Sequence, residues 1–101
     1  MVLIVLFNLK DSDAADKYEK WANTVDIPTV TKLSSVGSFE VFKTSGLLGQ
    51  EAQAPYQYVE VIKVNDAEQL GKDISTETMQ KVAAQFQEFA DNPIFMVAQS
   101  I

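Results

Sequence analysis

Residues 56–64 read YQYVEVIKV, a run rich in tyrosine, valine and isoleucine whose side chains alternate with the two-residue period of a β-strand. Working outward from it organises the chain. Downstream, Asn65 and Asp66 offer helix N-caps, and Asp66 with Gln69 has capping-box spacing for a short helix that Gly71 is expected to end. Ser75 then caps a longer helix in which Met79, Val82, Ala83, Phe86, Phe89 and Ala90 form an i, i+3, i+4 apolar stripe against Lys81, Gln85 and Glu88. Asp91, Asn92 and Pro93 close that helix, and residues 94–98 return to a strand.

Upstream, residues 45–55, SGLLGQEAQAP, hold two of the four glycines and one of the three prolines, which marks an irregular connection suited to a lid. Before it, residues 38–44 form a strand in which Phe39 and Val41 alternate with Glu40 and Phe42. Ala14, Tyr18, Trp21 and Val25 fall on one helical stripe, with Asp16, Lys17, Glu19 and Lys20 mostly off it. Acidic residues suit the positive end of that helix, and Pro28 is expected to stop it near residues 23–25. The opening MVLIVLFNLK lacks a basic leader and the length of a membrane helix, and its β-branched and aromatic residues make a buried first strand. The order is β-α-β-β-α-β, an α+β arrangement around a four-stranded antiparallel sheet.

At 101 residues the chain suits one domain, residues 1–101, and 47% hydrophobic with 22% charged residues is the composition of an ordinary globular protein. A net charge of −6 repels nucleic acid and anionic lipid, so neither is an expected partner. Cysteine and histidine are both absent, which removes thiolate and imidazole chemistry and the commonest transition-metal ligands. No metal or other cofactor is expected. Chemistry is left to carboxylates, hydroxyls, amides and lysines.

Two helices cover one sheet face, yet the first strand is apolar on both: Leu3, Val5, Phe7 and Leu9 on one side, Val2, Ile4, Leu6 and Asn8 on the other. The uncovered face therefore calls for a homodimer with sheets packed face to face around a cavity. Strand parity assigns Asn8, Glu40, Phe42, Tyr58, Glu60 and Ile62 to that open face. There Glu40 and Glu60 would have their ionised forms disfavoured by desolvation and stand ready for proton transfer, although strand glutamates more often simply reach solvent. Tyr18 and Trp21, on a core stripe, suit packing first. Leu47 and Leu48 are placed either to cap the cavity or to touch the dimer mate.

The successions YEKWANTVDIPTVTKLSSVGSFEVFK at residues 18–43 and APYQYVEVIKVNDAEQL at residues 54–70 resemble the dimeric α/β-barrel (ferredoxin-like) superfamily, and within it the RedY-like HapK/PigK family of prodigiosin-type pigment clusters. The resemblance implies a cytoplasmic homodimer of tripyrrole biosynthesis that handles a small aromatic, pyrrole- or indole-like ligand. Superfamily relatives commonly carry a histidine two residues before the proline that follows the first helix, and here that position is Asp26. An aspartate accepts a proton or a pyrrole N–H but cannot donate as imidazolium does, and beside Pro28 it equally suits a turn. The expected ligand site combines Asp26, Glu40 and Glu60 as catalytic N–H acceptors with Asn8, Trp21, Phe42 and Tyr58 as ring-binding groups. Two other readings stand beside it: a non-catalytic accessory or chaperone-like dimer serving the pathway enzymes, and a cofactor-independent monooxygenase.

Overall fold

The computed structural model describes residues 1–101. Strands β1 (Val2–Leu9), β2 (Val36–Lys43), β3 (Tyr58–Val64) and β4 (Ala90–Ala98) form one antiparallel sheet in the order β2-β3-β1-β4. Its helices are α1 (Ala15–Trp21), α2 (Ile27–Thr31), α3 (Ala67–Asp73) and α4 (Glu77–Phe89). None is long and apolar enough to cross a membrane.

The first helical arm runs further than Pro28 suggests. Asp11 caps a short 3₁₀ turn, Ser12–Ala14, that leads into α1. A π-helical segment, Ala22–Asp26, then joins α1 to α2, and the Ile27 amide donates to the Ala22 carbonyl five residues back. Pro28 lies in the first turn of α2, where its missing N–H costs least. The widened turn also changes which residues face inward. Tyr18, Ala22, Asp26 and Val30 are all buried, at intervals of four. At about 3.6 residues per turn such a row would drift around an α-helix, and the π segment takes up that drift.

Other boundaries shift for local reasons. Asp66 caps α3 through the Glu68 and Gln69 amides, and the helix continues past Gly71 to Asp73. Thr76, not Ser75, caps α4 by accepting from the Met79 amide, while the Ser75 hydroxyl donates to the Gly71 carbonyl. β4 begins at Ala90 and carries Pro93 within it, as a sheet-edge strand can.

The core lies between sheet and helices. Phe7 stacks on Tyr58 with ring centroids 5.4 Å apart and meets Phe86 edge-on at 4.9 Å. Burying a side chain such as Phe7 contributes about 1.5–3 kcal/mol. A second cluster joins Val30, Val36, Phe39, Met79 and Val82.

Register corrects the parity expected for β3. Phe7 pairs with Tyr58, Val5 with Glu60 and Leu3 with Ile62, so Tyr58, Glu60 and Ile62 share the helix-covered face with the core of β1. The reason is the Phe7–Tyr58–Phe86 aromatic packing, which alternation within β3 alone does not reveal. The open face is built instead from Ile4, Leu6, Val59, Val61, Ile94 and Met96, with Glu40 and Phe42 beside them on β2.

Candidate functional site

A cavity of about 140 Å³ lies between the sheet and the helical layer. Val30 from α2, Met79, Val82 and Phe86 from α4, and Phe39 and Ile62 from β2 and β3 make its walls apolar. Asp26, Glu60 and Gln87 are its polar lining. Phe95 forms one border. Phe95 and Val97 pair with Val5 and Leu3, which sets them on the helix side of β4, yet they remain 57% and 64% exposed. The helices leave this sheet edge bare beside the cavity.

Asp26 and Glu60 reach the cavity from opposite layers, one on the π segment and one on β3, and each is only 5% exposed. Burial pushes Asp26 up to about 7. Glu60 is pushed up to about 8, first by burial and then by the charge of Asp26. Its nearness to the Tyr18 hydroxyl, short of a well-formed hydrogen bond, acts weakly the other way. Glu60 Oε2 and Tyr18 Oη are both buried and have no hydrogen-bond partner. Burial, followed by the Glu60 and Asp26 charges, raises the Tyr18 phenol above its ordinary range, so it stays a donor. Neither ion pair of the chain, Lys43–Glu19 or Lys81–Glu77, involves the cavity carboxyls. The arrangement is a coupled carboxyl pair that keeps a proton near neutral pH, beside a donor hydroxyl, in an apolar chamber. It can accept an N–H or move a proton on a bound ring.

The structure thus brings together Asp26 and Glu60, and adds Tyr18, whose stripe position points first to packing. The other expected site residues lie elsewhere. Glu40 and Phe42 are exposed on the open face, so the two glutamates do not share a site. Asn8 is occupied structurally: its Nδ2 donates to the Pro55 carbonyl at 3.1 Å and its Oδ1 accepts from the Gln57 amide at 2.9 Å. The Trp21 indole N–H donates to Gln85 Oε1 at 2.7 Å, and its ring packs against Phe89. Tyr58 is buried in the core, and its hydroxyl donates to Glu19 Oε2 at 2.7 Å. Leu47 and Leu48 do not line the cavity, and Leu48 projects freely from its loop. The walls from α4 were visible as the Met79, Val82, Phe86 stripe, but not as a binding surface.

Residues 1–101 match the family model described as REDY-like protein HapK. The chain belongs to this family. Among REDY-like structures, that of HapK from Hahella chejuensis is 32% identical, with 100% of this chain and 95% of that one covered and a TM-score of 0.75. A dimeric ferredoxin-like protein of unknown function from Thermobifida fusca shares 13% identity over 94% of this chain and 85% of its own, with a TM-score of 0.73. A candidate antibiotic biosynthesis monooxygenase from Nitrosomonas europaea shares 9% identity over 99% and 97%, with a TM-score of 0.75. These two distant likenesses establish the ferredoxin-like α+β fold of this REDY-like chain and nothing about its chemistry. No curated protein matches it.

Proposed function

We propose that this REDY-like chain is a cytoplasmic homodimer of prodigiosin-type pigment biosynthesis that binds one ring of a pyrrole- or indole-like intermediate between sheet and helices. The carrying observation is Glu60 Oε2, buried without a partner in a cavity it shares with Asp26. An unmet acceptor in an apolar chamber is costly unless a ligand completes it, and a pyrrole N–H is the matching donor. The cavity volume of about 140 Å³ suits a single ring, since an apolar cavity of about 150 Å³ takes benzene. Further rings of the ligand pass out over Phe95. Asp26 and Glu60 orient the ring through its N–H and carry protons to or from it, with Tyr18 as an additional donor. The apolar open face supports the homodimer, as does the dimeric state of the Thermobifida fusca protein of like fold.

Titrating the protein with bipyrrole and bis-indole intermediates tests the site. Saturable binding is expected to weaken about tenfold or more in Asp26→Asn and Glu60→Gln, in line with loss of a charged hydrogen bond. Glu40→Gln, on the other sheet face, is expected to bind as the wild type does. Equal binding by all three variants overturns the site. The accessory reading draws support from Leu48, fully exposed between glycines. Absence of any saturable binding, together with co-purification of a pathway enzyme that Leu48→Ser abolishes, favours that reading instead.

A further inference from the structure

The charges around the cavity are all of one sign. The ionisable groups facing one another there are Tyr18 from α1, Asp26 from the π segment and Glu60 from β3. The surfaces contributed by α2, α4, β2 and β4 are apolar apart from the neutral amide of Gln87. None of the eight basic residues lines the chamber. Both carboxyls are buried and outside any ion pair, and the donor near Glu60 is the neutral Tyr18 hydroxyl, which forms no well-made hydrogen bond to it. A buried carboxylate needs a counter-charge, and this chain supplies none. A neutral N–H would satisfy one oxygen and leave the charge uncompensated. A ring bearing a carboxylate would add a further like charge.

The geometry points to a cavity that selects a cationic heteroaromatic, such as a ring with an iminium, amidinium or ammonium substituent, over its neutral and anionic isosteres. The inference rests on the cavity being the ligand site proposed above, and it adds the charge class of the ligand. When empty, the carboxyl pair is kept neutral or singly charged by a retained proton, as the raised values of Asp26 and Glu60 require. The cation takes that proton's place. The proton leaves to the buffer as the ligand enters, and no covalent bond changes.

The test uses the intact protein and three one-ring probes of like shape: 2-(aminomethyl)pyrrole as the cation, 2-methylpyrrole as the neutral ring, and pyrrole-2-carboxylate as the anion. Calorimetry in two buffers of different ionisation enthalpy reads both affinity and proton release. The cation is expected to bind about tenfold or more tighter than the neutral ring near neutral pH, to release a proton, and to tighten by up to about tenfold per pH unit up to about pH 7. The anion is expected not to bind. Glu60→Gln is expected to narrow the gap between cation and neutral ring. If 2-methylpyrrole binds as tightly as the cation and the heat is independent of buffer, charge selection is overturned while the ligand site stands. If no probe binds and the multi-ring intermediates also fail, both readings fall.

Discussion

Tyr18 and Tyr58 pack edge to face, with ring centroids 4.8 Å apart at 61°, yet only one of the two phenols is hydrogen-bonded. Tyr58 donates to Glu19, whereas the Tyr18 hydroxyl lies buried and unpartnered beside the cavity carboxyls. One tyrosine is completed by the fold, and the other lies beside the Glu60 carboxyl without a well-formed hydrogen bond.

Tyr18→Phe is therefore expected to change stability by no more than about 1 kcal/mol, because it deletes a buried hydroxyl whose contact with Glu60 is not a well-formed hydrogen bond. Urea unfolding of the two proteins measures it. A loss of more than about 1 kcal/mol would show that the hydroxyl is held by the fold after all.

Tyr58→Phe should behave oppositely. Its hydroxyl, followed by Lys43, holds the Glu19 carboxyl below the usual range. Losing that charge-assisted bond is expected to cost about 1–2 kcal/mol, discounted because Glu19 is partly exposed. Lys43→Ala, which removes only the exposed ion pair, is expected to cost less than about 1 kcal/mol in the same unfolding measurement.

Stability should fall as pH rises from about 4 to about 8. Asp26 and Glu60 have unperturbed values of 3.8 and 4.5 and folded values of about 7 and about 8. Within that window the folded chain binds more protons than the unfolded one, so unfolding is favoured by removing protons. The slope is at most about 1.4 kcal/mol per pH unit for each group, and the curve levels above the folded values. Urea midpoints taken across this range check the sign, and Glu60→Gln should flatten the curve. A wild type that gains stability toward alkaline pH would mean that the pair is not buried as described.

The four strands were legible because residues 56–64 and the first strand carry unmistakable β-branched and aromatic runs, and α4 was legible from its stripe. The face of β3 was not. Tyr58, Glu60 and Ile62 on one side and Val59, Val61 and Lys63 on the other are each mainly apolar with one charged residue, so alternation has no preferred direction. Only the pairing of Tyr58 with Phe7 decides it, a contact between residues 51 positions apart. The family resemblance marks Asp26 as a site candidate, but its burial depends on a π segment whose widened turn no residue type announces. The pairing of Asp26 with Glu60 thus rests on two features of tertiary structure, and strand parity without them sets Glu40 beside Glu60 instead.

The open sheet face supports the last prediction. Ile4 pairs with Val61 on one side and Met96 on the other, at the middle of an apolar surface on the central strand β1. If two copies bury that surface together, a lysine at this position brings two like charges into a desolvated interface, a penalty that ordinary packing energy does not offset. The wild type is expected to sediment as a dimer at micromolar concentration with a concentration-dependent melting temperature, and Ile4→Lys as a monomer without that dependence. Because Ile4 faces away from the Asp26–Glu60 cavity, any binding retained by the monomer would place the ligand site wholly within one protomer. A wild type that is monomeric at the same concentration removes the dimer but leaves the cavity, since its lining lies on the helix-covered side of the sheet and Ile4 on the other.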